Sequence, residues 1–567
     1  MKLTRDPRLA AFDDLLTGDP LSLPIAWTGD QHYRAVFDPP GNQDTPLLGT
    51  YPAGSPCDLP LVAMVRHAAD LLQRDGGPAL YEVPFSGFTD HRGMEASGQG
   101  FSNAYKMVTA WSLQGTLGLM TPFGVVAGGG CDKTFPALIH TMGLEPYRYL
   151  PWLLLHAGHR SVGRLPDGRE VTIGDLAAAR IANRNGRLGD AALEDIRRHT
   201  VRDAGVCENL ASAMSHYFAL CAGGFILAAD DLHAGHAAGR RAFTERAVAL
   251  FRPALRDGIV PADMIGPANF DNFIQAIALF GLSTNLALHL PYMARSWGIR
   301  LTPADIWARI ETTPMVSDLQ PVGRYPINHV GAMLPSVLRY LVEQGALKDV
   351  TTLFGMRLSE LYADAPDLDF AAQDVFRPLD APVSPGPRVA LYRGNLCPGG
   401  AWVKESAAMA ADRVFAVRMC PTQRDFFALT QGGRVFEDGT AYAVTGDRSM
   451  IELLTINYAI GQGMDAAPGL EIALLTDQRT SGFAGTRAKA AYHMPRERLR
   501  SLADGDRVLF APSRRIVALV DAAGGLRDAE MDARARSYRE PDWPETGTIR
   551  DQLNRHLSTA EEGAAIY

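Results

Sequence analysis

The tightest constraint on the fold is the stretch Phe123-Gly-Val-Val-Ala-Gly-Gly-Gly-Cys-Asp-Lys-Thr134. Its apolar run, Phe123 to Ala127, predicts a buried strand, and Phe135-Pro-Ala-Leu-Ile-His-Thr-Met142 predicts a helix directly after it. Between them Gly128, Gly129 and Gly130 mark backbone that approaches another group closely or takes positive φ. A thiol, a carboxylate and an amine then stand in succession at Cys131, Asp132 and Lys133. A soft and a hard ligand therefore sit where a strand ends and a helix begins, a usual place for a site in an α/β protein. A phosphate-binding loop is the rival reading and is weaker, because neither GxGxxG nor GxxxxGK[ST] spacing is present.

A chain of 567 residues can hold two to four domains and a large core. Net charge is −8, from 55 basic and 63 acidic residues, so no broad basic face points to nucleic acid. No apolar run reaches membrane-spanning length, and Met1-Lys-Leu-Thr-Arg-Asp-Pro has no signal-peptide core. The expectation is a cytoplasmic protein that binds neither nucleic acid nor membrane. Six cysteines are too sparse for a disulfide framework, so the question is which of them are ligands.

Along the chain, residues 1–50 read as an irregular lead-in. Leu61 to Leu72 carries a strong helical pattern, with Gly76-Gly77 as its C-terminal cap. Tyr81–Phe85 reads as a short strand, Tyr105–Leu119 as a helix, Tyr149–Leu155 as a buried strand and Glu208–Leu220 as a helix. Several helices continue to residue 350, one of which places Asn285 and His289 on one face at i, i+4. Four prolines between Phe376 and Pro387 read as a linker. Strand patterns follow: 388–392, 401–404, 414–417, 441–444, 471–475, 507–509 and 516–520. The expected architecture is a large N-terminal α/β domain (1–376), a linker (377–388) and a smaller C-terminal β-rich domain (389–567).

Cys57, Cys131 and Cys207 share one setting, a Gly/Pro-containing loop just before a helix. Helix N-termini favour thiolate over thiol. Three thiolates can hold a metal or an iron–sulfur cluster and leave one metal position free of protein, as a catalytic site needs. For any one cysteine alone, a buried small hydrophobe is the commoner role; Cys221 and Cys420 read that way, and Cys397 in its turn is left unassigned. Asp90, Asp132 and Glu452 are loop carboxylates, a class more often solvated or capping than ligating. Thr476-Asp-Gln-Arg-Thr-Ser-Gly482 follows a buried strand. A serine there suits catalysis, and an ordinary turn with a capping hydroxyl fits equally.

Taken in order, these pieces resemble the dihydroxy-acid dehydratase / phosphogluconate dehydratase family, which includes sugar-acid dehydratases. Gly129-Gly-Cys-Asp-Lys-Thr-Phe-Pro-Ala137 resembles GGCDKTTPA, and Ser55-Pro-Cys-Asp-Leu59 resembles an SPCN-type loop. Ala204-Gly-Val-Cys207 resembles the third cysteine loop, and Ser283-Thr-Asn285 with His289 resembles GGSTNxxxH. Gly394–Ala401 resembles GNLAPxGA, Thr476–Gly482 resembles TDGRFSG, and Ser558–Ala564 resembles the tail of the phosphogluconate branch. The resemblance implies an α/β domain joined to a β-barrel-like swivel domain with the active site between them. It implies a [2Fe-2S] cluster on Cys57, Cys131 and Cys207, the first of these being the cysteine that the branch with a different cluster lacks. It implies Mg²⁺ on Asp90, Asp132, Glu452 and Lys133 as a carbamate, which turns a cation into an oxygen donor suited to a hard metal. Ser481 is the implied base, and a homodimer or homotetramer the implied assembly.

The implied reaction is dehydration of a sugar acid or related 2,3-dihydroxy acid to a 2-keto-3-deoxy acid. The alternatives are the dihydroxy-acid dehydratase of branched-chain amino-acid synthesis and a non-catalytic relative that keeps the cluster. Retention of Ser481, Lys133 and Glu452 argues against the last. The chain departs from the family pattern beside these positions. His91 stands where a glycine follows the Mg²⁺-binding Asp90, with Glu95 a second carboxylate in that loop. Ala157-Gly-His-Arg160 replaces GGPM, and Gln478 interrupts TDGR. Ligand positions survive while pocket walls change, which points to an unusual substrate whose anionic group is read by His159, Arg160 or Arg479.

Overall fold

Four short parallel strands build the sheet that carries the Cys131 loop: β1 (Leu47–Thr50), β2 (Leu80–Glu82), β3 (Gly124–Gly129) and β4 (Trp152–His156). Their order is β2-β1-β3-β4, with Leu47 opposite Gly124 and Val126 opposite Leu153. β1, β3 and β4 are buried along their whole length, as continuous apolar strands covered on both faces should be. The computed structural model describes residues 47–53, 57–74, 80–87, 103–200, 203–229, 237–405, 409, 411–430, 436–446, 450, 453–467, 469–480, 488–540 and 547–566. The expected cap at Gly76-Gly77 lies outside them.

One expectation is corrected here, and an open alternative is decided. Leu47–Thr50 is an inner strand of this sheet, not irregular lead-in. Gly128 and Gly129 continue β3, and none of the three glycines takes positive φ. Close approach is their reason. A Cβ on Gly128 would lie 2.6 Å from Leu61 Cδ2, which belongs to the helix Leu59–Gln73 packed across the sheet.

Helices Ser212–Ala222, Pro267–Leu279 and Thr284–Arg295 are buried nearly all round and form the centre of the N-terminal half. The first begins at Ser212 rather than at Glu208, because Glu208 is held sideways. Its carboxylate accepts from the Ile173 amide and pairs with Arg160. The proline-rich stretch is pinned to this half: Ser384 O accepts from Met315 N (2.9 Å) and Val316 O from Arg377 N (2.8 Å), with Phe376 fully buried.

The C-terminal half is one eight-stranded sheet: β5 (Val389–Tyr392), β6 (Ala401–Lys404), β7 (Arg413–Cys420), β8 (Thr440–Val444), β9 (Ala473–Thr476), β10 (Lys489–Tyr492), β11 (Arg507–Ala511) and β12 (Ile516–Val520). The order is β12-β11-β7-β8-β9-β10-β6-β5, with β7 to β10 parallel and the flanks antiparallel. Arg393, just past β5, exchanges backbone hydrogen bonds with Arg515 and Val517 at 2.9 Å, which brings the two edges of the sheet together into a near-barrel. β10 is the strand that the alternation of Lys489-Ala-Ala-Tyr492 did not announce. The fold is thus an α/β N-terminal half joined to a β-rich near-barrel, and one apolar core runs from Leu47 to Met531 across both. No helix among the described residues is long and apolar enough to cross a membrane.

A late segment returns to the first half. Gly563 O accepts from Lys106 Nζ and Ala564 O from Asn103 Nδ2, both at 2.7 Å. Ala565 packs between Met107 and Tyr292.

Candidate active site

The three cysteine loops converge on Gly130. A Cβ there would lie 2.7 Å from Asp58 Oδ1, and 3.0 Å from both Ala157 Cβ and Val206 Cγ1. Its lack of a side chain lets the neighbours of Cys57, Cys131 and Cys207 meet. Val206 also pairs with the loop that follows β4: Val206 N donates to Gly158 O and Arg160 N to Val206 O. That pairing carries His159 and Arg160 to the third cysteine. Arg160 Nη2 donates to Cys207 Sγ (3.4 Å), and its Nε lies 3.1 Å from Glu208 Oε2.

Burial pushes the Cys207 thiol up to about 12; the Arg160 guanidinium pulls the other way and nearby Cys57 adds to the rise. Burial opposes the charge on Arg160, but Cys207, Glu208 and Cys57 outweigh it and hold the guanidinium above its ordinary range. A thiol in this setting becomes a thiolate when a metal coordinates it. Three thiol loops around one glycine fit an iron–sulfur cluster by their donor chemistry. No group of three or more His, Cys, Asp and Glu side chains is already gathered as a metal-ligand set among the described residues.

Asp132 is the second focus, fully buried at the start of the helix Thr134–Gly143. Lys133 Nζ lies 3.1 Å from Asp132 Oδ1. On Oδ2 converge Arg479 Nη1 (3.2 Å), Asn285 Nδ2 (3.4 Å) and, at 3.7 Å, His289 Nε2. Arg479 comes from the loop after β9, so the two halves of the chain meet at this carboxylate. The same loop is braced by Arg479 Nε donating to Met450 O, by Leu453 N donating to Arg479 O, and by Thr284 Oγ1 donating to Thr480 O. Asp132 and unmodified Lys133 form an ion pair rather than a ligand pair. Carboxylation of Nζ would make both oxygen donors, which fits the carbamate chemistry. Asp90, Glu95, Glu452 and Ser481 lie outside the described residues, although Met450, Leu453 and Thr480 beside the last two positions all bond within this knot.

Asp477 of the same motif turns away, toward Arg500 Nε (3.1 Å) and Arg496 Nε (3.4 Å), and works as a loop brace. His159 is buried and its Nδ1 bonds Arg160 O. Sequence reasoning missed three residues near the site: Lys106, Glu208 and His216. Lys106 was the one lysine inside the apolar pattern 104–111. It is fully buried, bonds Gly563 O and His289 Nδ1 (3.3 Å), and lies 4.7 Å from the Tyr292 ring centre. Burial lowers its ammonium well below the ordinary lysine range, and Lys133 and Arg479 lower it further. Burial likewise brings His216 down to about 4 and His289 well below its usual value.

Comparison with known proteins agrees with this architecture. The profile described as Dihydroxy-acid/6-phosphogluconate dehydratase N-terminal matches residues 47–361, and its C-terminal counterpart matches residues 374–564. The dihydroxy-acid dehydratase of Methylococcus capsulatus is 28% identical over 91% of this chain and 92% of its own length. Those of a Synechococcus strain and of Nitrosomonas eutropha are each 26% identical over 94% of this chain and 95% of theirs. The chain belongs to the dihydroxy-acid/6-phosphogluconate dehydratase family.

Proposed function

We propose that this chain dehydrates a sugar acid, or a related 2,3-dihydroxy acid, to the 2-keto-3-deoxy acid. The broader assignment, a hydro-lyase acting on a dihydroxy acid, follows from the family. The observation that carries the reading is Arg479 reaching from the C-terminal half to Asp132 of the N-terminal half, beside the three converging cysteine loops. Cys57, Cys131 and Cys207 would hold a [2Fe-2S] cluster. Asp132, carbamylated Lys133, Asp90 and Glu452 would hold Mg²⁺. When bound, these groups supply Lewis acidity at the substrate carboxylate and at the departing hydroxyl.

The chain's own residues do the rest. Ser481 takes the proton from C2. The C3–O bond breaks, the leaving hydroxide takes up the proton removed from C2 and departs as water, and the enol so formed loses its O–H proton as C3 gains one, which gives the 2-keto acid. Arg479 places positive charge beside Asp132 and favours an anionic substrate. His159 and Arg160 close the wall next to the cysteine loops. The enzyme works as a homodimer or homotetramer.

Its relatives are named dihydroxy-acid dehydratases, which favours the alternative reading, with 2,3-dihydroxyisovalerate as substrate. Anaerobic purification with iron, sulfide and magnesium quantitation, followed by a keto-acid assay on aldonates and on 2,3-dihydroxyisovalerate, tests both. About two irons and two sulfides per chain, with keto acid from an aldonate, support the first reading. Keto acid from 2,3-dihydroxyisovalerate alone supports the second, and absence of any cluster removes the three-cysteine assignment.

A further inference from the structure

Two imidazoles beside Asp132 have one committed nitrogen and one without a partner. His216 Nδ1 is 2.8 Å from Ser212 O, and a carbonyl only accepts, so Nδ1 carries the hydrogen and Nε2 offers a lone pair. His289 Nδ1 faces Lys106 Nζ at 3.3 Å; whether charged or neutral, an amine that donates one hydrogen to Gly563 O keeps another for Nδ1, an arrangement that puts His289's own hydrogen on Nε2. The neighbouring Asp132 Oδ2, 3.7 Å from that Nε2, favours the same tautomer without being close enough for a hydrogen bond. The rings lie 5.9 Å apart at 36°, both residues are fully buried, and neither Nε2 has a hydrogen-bond partner. Buried polar atoms are seldom left so.

We propose that His216 and His289 form a subsite for a substrate hydroxyl, donating to it from His289 Nε2–H and accepting from it at His216 Nε2. A hydroxyl is the group that both donates and accepts through one atom. The inference rests on the dehydratase reading and extends it. The two hydroxyls of the reaction are engaged at the reacting centre, so this pair reads one beyond C3, which an aldonate has and 2,3-dihydroxyisovalerate lacks. His216 is therefore a specificity residue, selecting a polyol acid over a branched-chain one.

The test compares anaerobically purified, metal-loaded wild type, His216→Met and His216→Gln on D-gluconate, D-xylonate and 2,3-dihydroxyisovalerate. For His216→Met, kcat/KM on the aldonates should fall about tenfold further than on 2,3-dihydroxyisovalerate, the scale of one buried hydroxyl hydrogen bond. His216→Gln, which keeps an acceptor, should recover most of that difference. Equal losses on both substrate classes overturn the proposal. A wild-type structure with gluconate bound needs no variant: a substrate hydroxyl within hydrogen-bond reach of both Nε2 atoms supports the subsite, and an ordered water there overturns it. Turnover of 2,3-dihydroxyisovalerate alone removes the subsite and leaves the dehydratase class standing. If no substrate is turned over, the dehydratase reading fails. Calorimetry then decides the subsite: gluconate binding weakened by His216→Met supports it, and unaffected or absent binding removes it.

Discussion

A single methyl group at Gly130 should separate the three cysteine loops without touching any cysteine. In Gly130→Ala the new Cβ would lie 2.7 Å from Asp58 Oδ1 and 3.0 Å from Ala157 Cβ and Val206 Cγ1. All three neighbours are buried, so the methyl cannot be relieved toward solvent. Overpacking of this kind costs about 1–3 kcal/mol. Here the strain falls on the residues next to Cys57 and Cys207, so relaxation moves the thiols apart. The assay is twofold: urea denaturation of metal-free protein, and iron and sulfide per chain after anaerobic purification. Lower stability together with a large loss of iron is expected. Gly115→Ala is the control, because that exposed position in the helix Tyr105–Met120 has nothing within 4 Å of the new methyl. It should gain about 0.5–1 kcal/mol and keep its iron. Full iron content and an unchanged urea midpoint in Gly130→Ala would refute the convergence argument.

Three further outcomes can be checked. Ser481→Ala should lower keto-acid formation by at least about 100-fold, the scale of a positioned proton acceptor, while iron content stays at the wild-type level. Arg160→Met should destabilise the fold by about 3–5 kcal/mol, because it leaves the buried Glu208 carboxylate without its guanidinium; adding Glu208→Gln should restore part of that in a urea-denaturation cycle, and additive losses would show no coupling. Lys404 is fully buried without a hydrogen-bond partner, and burial brings its ammonium down to about 7, against about 10.4 in an unfolded chain. Between those values the unfolded chain holds a proton that the folded chain does not, so stability rises with pH through that window. Lys404→Met should therefore be more stable than wild type at pH 6–7, with the gap closing toward pH 10; parallel stability curves would contradict this.

Much of the arrangement could be read before any coordinates. The strand and the helix flanking Cys131 appear where expected, apart from the two glycines that lengthen the strand, because an apolar strand and a 3.6-residue apolar period are local signals. The same holds for most of the C-terminal strands and for Asn285 and His289 on one helix. What could not be read depends on partners distant in sequence. Leu47–Thr50 is a strand because β2 and β3 flank it, and four residues carry too little periodicity to say so. The helix after Cys207 starts late because Glu208 answers to Arg160 and Ile173, neither of them local. Lys106 and His216 are polar side chains inside apolar helices, and nothing local marks their roles, which come from Gly563 and Asp132.

The return of Gly563 and Ala564 to Lys106 and Asn103 has a consequence in time. The contact from Lys106 to Gly563 spans 457 residues. At about 5–20 residues per second, a ribosome takes roughly 20–90 s to make the residues between them. Throughout that interval the N-terminal half can assemble its sheet and cysteine loops, but the lysine that orients His289 has no carbonyl to hold it. A chain interrupted before residue 563 would carry its cysteine loops and Asp132 with that anchor missing. Synthesis order thus decides when this anchor can form: the bond from Lys106 to Gly563 exists only on chains translated past both halves.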